Sequence, residues 1–198
     1  MSDEGKPTAA AWPVTLSGVT ESVVTTLGPN GLWNAAPLGL HAGDPVTART
    51  WGNTRTRRNF HRQGEGYVQF TRDPVLFVDA TLAIREEDDP VLDAADAWVE
   101  VTVERVDVDE SGDTRLETWA LTPVDAGVER QTVPTIDRGF AAVVEATVAV
   151  SRLDVEAYDA AELRSRLSYF KEVARTCGGP RVHEAFDRLC DLVDEDDC

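Results

Sequence analysis

Lysine is almost missing from this sequence. Of the 19 basic residues only Lys6 and Lys171 are lysine, so the other 17 are arginine, set against 36 Asp and Glu for a net charge of −17. So strong a negative surface repels phosphate backbones, which argues against nucleic acid as a partner. Cysteine is scarce as well. Cys177, Cys190 and Cys198 are an odd number gathered in the last 22 residues, with no CxxC pair, and His41, His61 and His183 are scattered. A zinc site therefore lacks support, no metal is expected, and Cys177 and Cys190 are expected to pack as small apolar residues. No apolar run approaches the roughly 20 residues of a membrane span. The amino terminus, MSDEGKPTAAAWP, has no apolar segment of the signal-peptide kind, so a cytoplasmic protein without membrane attachment is expected. Missing too are GxGxxG, GxxxxGK[ST], GxSxG and HExxH, which removes the common nucleotide, hydrolase and metalloprotease fingerprints.

What is present begins with a core. At 198 residues and 42% hydrophobic content the chain is long and apolar enough for one ordinary domain, with or without a small appendage. Solvated carboxylates with almost no lysine match a protein working in very high salt, where long-range repulsion is screened; an ordinary acidic protein is the alternative.

Residues 1–13 read as a polar tail. GVTESVVTTL, a GPNG turn and LWNAAPLGLH then form a hairpin, whose second strand must carry an edge or bulge at Pro37 because proline cannot donate to a ladder. VTARTW is a third strand. A short helix follows, capped by Asn53 or Thr54, with Phe60 turned inward and the arginines outward. GYVQFT is a strand, and DPVLFVDATLAI has an Asp cap and an N1 proline, although its valines leave a strand open. REEDDPVLDAAD reads as a solvated acidic loop. WVEVTVERVDVDE and TRLETWALTPVDAG alternate apolar and polar residues across an SGD turn and form a second hairpin. Ile136, Phe140, Val143, Val144 and Thr147 recur at helical spacing. Leu163, Leu167, Phe170 and Val173, then Val182, Phe186, Leu189 and Val193, give two further amphipathic stripes. The expected organisation is β-rich α+β: a tail at 1–13, a β-rich body at 14–134 and a helical segment at 135–198.

One stretch departs from the acidic background. RTWGNTRTRRNF, residues 49–60, holds Arg49, Arg55, Arg57 and Arg58 and no carboxylate. A capped helix start with Thr54 and Thr56 hydroxyls and guanidinium forks suits a phosphate monoester. The competing reading is a solvated helix whose arginines pair with the many carboxylates.

The order TTLGPNGLWNAAPLGL, a strand, TRTRRNF and GYVQFTRD resembles the FMN-binding split-barrel flavoproteins, the superfamily of flavin reductases. It is most similar to an archaeal family of uncharacterised split-barrel proteins, with RGFAAVVEATVAVSRLD in the helical part, and a haloarchaeal source fits the charge. The resemblance implies a split β-barrel with a carboxyl-terminal helical subdomain, binding FMN. It places Asn34, Ala35, Ala36, Pro37, Leu38 and Gly39 along the flavin ring, and Arg49 and Thr50 facing the ribityl chain and phosphate. Thr56 and Asn59 match a T-x-x-N element, the threonine on the phosphate and the asparagine fixing the loop. Arg55, Arg57 and Arg58 are the candidate phosphate counter-charges, and Asn53 and Thr54 at the helix start are further candidate cofactor-binding residues. Gln69 stands where Asn is common and Phe60 where Ile or Leu is common. The resemblance also implies a homodimer with the flavin at the subunit interface. Three functions follow: an oxidoreductase passing electrons from a reduced nicotinamide or deazaflavin donor, a flavin carrier or redox sensor, and an interaction protein with a vestigial site. Catalytic residues, and a preference among FMN, riboflavin and deazaflavin, are left open.

Overall fold

A computed structural model describes residues 11–111, 114–194 and 198. Most of the expected tail, residues 1–10, lies outside them, as does the centre of the SGD turn. Trp12 lies within the described residues and packs edge-on against Phe70 with ring centroids 6.5 Å apart.

The chain divides into two compact units. The first comprises residues 1–70 and 86–131, the second residues 71–85 and 132–198. The first unit is a barrel. Strands β1 (Val19–Leu27), β2 (Trp33–His41), β3 (Val46–Trp51), β4 (Glu65–Phe70), β6 (Ala97–Ser111) and β7 (Thr114–Val128) run in the spatial order β1-β4-β6-β7-β3-β2. Pairing of β1 with β2 closes the ring, and every one of these ladders is antiparallel. The fold is thus the closed six-stranded split barrel with carboxyl-terminal helices that the sequence implies. Closure leaves no free edge around the ring, and its interior fills with alternating side chains: Val24, Leu38, Leu40, Ala48, Val68, Val99, Val101, Trp119 and Leu121.

Local chemistry explains the turns and the exceptions. The β1–β2 turn closes with Gly28 N donating to Leu32 O at 2.7 Å, and Gly31 takes φ 81°, a left-handed value that favours glycine. Pro37 is paired with Val23 of β1, while β2 meets β3 only at Leu40 and His41, so the proline lies beyond that ladder. In β7, Pro123 sits at a register shift opposite Val101. The acidic loop contains a three-residue strand, β5 (Arg85–Glu87), that continues the sheet from β2. Gln69, wholly buried, joins β4 to the rest of that loop. Its Nε2 donates to Thr25 Oγ1 at 3.0 Å and to Pro90 O at 2.9 Å, and its Oε1 accepts from Leu92 N at 2.7 Å.

Helix α1 (Arg55–Gln63) belongs to the barrel unit. Thr54 is its cap, with Oγ1 accepting from Arg57 N at 3.2 Å, and Gly64 ends it at φ 71° with its N–H on Phe60 O. Phe60 is 1% exposed and meets Trp119 edge-on, so one aromatic pins the helix to the barrel interior.

The second unit is helical. In α2 (Pro74–Leu82) the Asp73 cap and N1 proline win over the β-branched content, and Asp73 Oδ1 accepts from Val75 N and Leu76 N. Helix α3 (Arg138–Val150) starts two residues later than its apolar period suggests. Asp137 caps it, which leaves Ile136 outside the helix and 99% exposed. Helices α4 (Ala160–Cys177) and α5 (Pro180–Asp191) bury Leu163, Leu167, Val182, Phe186 and Leu189, as their stripes require. Arg181 pairs with Asp73 and Arg188 with Asp79, tying α5 to α2. The cysteines depart from expectation. Cys190 is bonded to Cys198 rather than packed as a free apolar residue, and Cys177, at the end of α4, is exposed. No helix of the described residues is long and apolar enough to cross a membrane.

Candidate functional site

Two faces of α1 carry its polar residues, and they lead to different places. Arg55 lies three and four residues before Arg58 and Asn59, and Arg62 four and three residues after them, which groups all four along one side of a helix. Together with the β1–β2 turn (Gly28, Pro29, Asn30), Asn34 of β2 and Glu86 of β5 they line a pocket of about 300 Å³. Asn59 is buried and braces the floor, its Nδ2 donating to Thr26 Oγ1 at 2.9 Å, while its Oδ1 accepts from Arg62 Nη2 at 2.9 Å. Arg62 also donates to Leu27 O. Arg58 Nη1 donates to Asn53 O at 3.0 Å. Among the described residues only Arg55 of these three meets a carboxylate: its Nη1 lies 2.7 Å from Glu86 Oε1.

The other face holds a different cluster. Glu117 of β7 is completely buried, with His61 Nε2 at 2.6 Å, Arg115 Nε at 2.8 Å, Arg57 Nε at 3.0 Å and Arg105 Nη1 at 3.4 Å. Arg57 Nε lies close to the carboxylate but off the line of its own N–H, while Arg57 Nη1 donates to Gly52 O at 3.1 Å. We read the Arg57–Glu117 contact as an ion pair rather than a hydrogen bond. Burial alone would push the Glu117 carboxyl up, but Arg57, His61 and Arg115 outweigh it and hold it down at about 2. In this cluster the buried carboxylate is compensated by Arg57, Arg105 and Arg115, and the group is a structural joint between α1 and the β6–β7 hairpin.

The residues singled out in the sequence separate accordingly. Asn34 and Asn59 come together in the pocket, with Arg55 and Arg58 beside them. Asn53 contributes its carbonyl to Arg58, and Thr54 caps the helix beneath them. Thr56 is buried in α1 and is not part of the pocket lining. Arg57 turns to Glu117 on the far face. Thr50 is buried on β3, its Oγ1 accepting from Trp119 Nε1 at 2.9 Å, whereas Arg49, opposite Thr118, is exposed. Leu38 points into the barrel, Ala35 is buried on the opposite face of β2, and Ala36 and Pro37 are half-buried. Not anticipated were Arg62, Asn30 and Glu86. Arg62 was legible as the next member of the Arg55–Arg58 spacing once the helix runs to Gln63. Nothing local marks Glu86, which lies 31 residues beyond Arg55.

A closed six-stranded antiparallel barrel of this strand order, with a capped helix beside it, defines the split-barrel class to which FMN-binding structures belong. The sequence matches the family model "Protein of unknown function (DUF447) N-terminal domain" over residues 20–130 and its companion "Protein of unknown function (DUF447)" over residues 137–191. The chain belongs to the DUF447 family. Among solved structures it is similar to the FMN-bound DUF447 protein MM1853 of Methanosarcina mazei, at 24% identity and TM-score 0.77, over 90% of this chain and 96% of that one. Looser likenesses, both at TM-score 0.41, are to two further proteins. One is the styrene monooxygenase flavin reductase of Pseudomonas putida S12, 18% identical over 58% of this chain and 82% of that one. The other is an FMN-binding protein of Thermus thermophilus with bound p-hydroxybenzaldehyde, 17% identical over 65% of this chain and 82% of that one.

Proposed function

We propose that this chain binds FMN, that the α1 pocket receives the phosphate, and that the protein works as a flavin-dependent oxidoreductase. The observation that carries the reading is a surplus of guanidinium. In a chain with 36 acidic residues, Arg58 and Arg62 face a pocket and meet no carboxylate among the described residues. Their exposed donors suit the fork geometry of a phosphate, and the field they make opposes the protein's overall negative potential at one place. The FMN bound by MM1853, a protein of the same family and fold, supports the identity of the ligand.

Bound flavin would supply hydride acceptance and electron transfer, so the chain need contribute only binding, orientation and exclusion of water. Asn59, locked to Thr26, fixes the α1 face against β1, and Asn34 offers an amide to the ribityl chain. At about 300 Å³ the pocket is at the small end of ligand sites and suits the phosphate end of the cofactor. We propose that the ring lies along β2 from Asn34 to Leu38 and is covered by a second copy of the chain; the 58% exposure of Trp51 supports an apolar contact nearby. The electron donor is proposed to be a reduced nicotinamide or deazaflavin. The scarcity of lysine beside 36 acids supports adaptation to molar salt and a haloarchaeal source.

Protein purified in molar potassium chloride should be yellow and should release FMN on denaturation. A colourless protein that leaves FMN fluorescence unquenched would sink the flavin reading. Anaerobic NADH, NADPH or reduced deazaflavin should bleach the bound flavin; flavin that no donor bleaches would leave a carrier and end the oxidoreductase.

A further inference from the structure

The proposed phosphate pocket contains an acid of its own. Glu86 Oε1 accepts from Arg55 Nη1 at 2.7 Å and from Asn30 Nδ2 at 3.2 Å, so two donors from opposite walls, α1 and the β1–β2 turn, converge on one carboxylate oxygen. The pair is open to water, the Arg55 and Glu86 side chains being 41% and 28% exposed. Both partners are side chains, and no backbone N–H is capped by Glu86 among the described residues. Its charge does, however, change the pocket. Three guanidiniums and one carboxylate give a formal charge of +2, where the arginines alone would give +3.

We propose that Glu86 is the specificity-determining residue of this anion pocket, setting its charge to match a phosphate monoester and holding off more highly charged anions. A terminal phosphate carries about 1.5 to 2 negative charges at neutral pH, close to what the pocket presents. An entering phosphate shares Arg55 with Glu86 and lies within a few ångströms of its carboxylate, where like charges repel even in strong salt. A pyrophosphate group brings more charge against the same carboxylate without gaining another cation. Glu86 therefore costs the pocket some affinity for any anion and costs it most for the most charged one.

This inference rests on the phosphate reading of the pocket, and the two separate experimentally. Calorimetric titrations with inorganic phosphate and inorganic pyrophosphate, at one fixed potassium chloride concentration, test the inference without flavin. FMN against riboflavin tests the reading. In the parent protein pyrophosphate should bind no more than a few-fold tighter than phosphate, despite its extra charge. In Glu86→Gln, which keeps an oxygen for Arg55 and Asn30 but removes the charge, both anions should tighten, pyrophosphate by about five- to fiftyfold more than phosphate. The preference for FMN over riboflavin should rise with them. Parent protein that already binds pyrophosphate tenfold or more tighter than phosphate overturns the proposal, whether or not the variant folds. So does a Glu86→Gln protein with the parent's melting temperature whose anions weaken or keep their ratio, because Glu86 would then only orient Arg55. Equal affinity of the parent for FMN and riboflavin removes the phosphate reading and leaves the anion ratio to decide Glu86.

Discussion

At the scale of single residues, four neighbouring arginines on nine residues of helix have two different fates. Arg57 is committed to Glu117, whereas Arg58 faces the pocket. Replacement of Arg58 by Ala should remove one charge-assisted contact, about 1.5–3 kcal/mol, which is roughly 10- to 150-fold in FMN affinity, and should spare riboflavin. Arg57→Ala should instead lower stability and weaken both flavins alike, if it affects them at all. Fluorescence titration of both ligands against both variants decides the matter, and a selective FMN loss in Arg57→Ala would reverse the assignment. Glu117 makes a second prediction. Its folded-state carboxyl titrates at about 2, below the ordinary 4.5, so its contribution to stability is full above about pH 4.5 and is lost as the pH falls towards 2. Glu117→Gln should destabilise the protein by about 3 kcal/mol, the low end for a broken buried pair, because His61, Arg105 and Arg115 remain partly open to water. Denaturation midpoints measured from pH 6 down to pH 2 should fall in the parent and show a shallower acid limb in the variant; parallel curves would exonerate Glu117.

At the scale of elements, α1 is a short helix that cannot stand alone. Nine residues are too few for a stable isolated helix, so the Thr54 cap, the Gly64 stop and the burial of Phe60 hold it in place. Thr54→Ala should cost about 1 kcal/mol, or about 2–4 °C in melting temperature for a chain of this size. Because the same helix carries Arg55, Arg58 and Arg62, the fraying should also weaken FMN. Thr54→Asp, which keeps an acceptor for Arg57 N, should restore the melting temperature; a Thr54→Ala protein as stable as the parent would show that packing alone positions the helix. The β1–β2 hairpin plays the complementary part, since its turn supplies Asn30 and its second strand supplies Asn34.

At the scale of the whole molecule, charge dominates. With a net charge of −17, self-repulsion opposes the compact state wherever salt does not screen it. The melting temperature should therefore rise from low to molar potassium chloride, and a flat or falling curve would dismiss adaptation to salt. Light scattering in molar salt should give twice the chain mass of 21.6 kDa if a second copy covers the flavin ring. A clean monomer that still binds FMN would place the whole cofactor on one chain.

Much of this architecture was legible in the residues because it depends on near neighbours. The two hairpins, the Asp73 cap and N1 proline of α2 and the apolar stripes of α4 and α5 are local signals read within a turn or two of chain. The concentration of arginine at the start of α1 belongs to the same class. Barrel closure does not, because β1 pairs with β4 as well as with its hairpin partner β2, and the β1–β4 ladder joins Thr25 to Tyr67 and Val23 to Gln69, more than 40 residues apart. Nor does the sorting of the arginines. Helical spacing says that Arg55, Arg58 and Arg62 share a face and that Arg57 lies on another, but it cannot say which face meets a carboxylate. Glu117 reaches Arg57 only through the β3–β7 ladder, and Glu86 reaches Arg55 only through β5. Composition by itself determined that a phosphate site here must be local and built of arginine. Tertiary structure decided which arginines keep their donors, because a guanidinium is spent or left available according to the acid that the fold brings within about 4 Å of it.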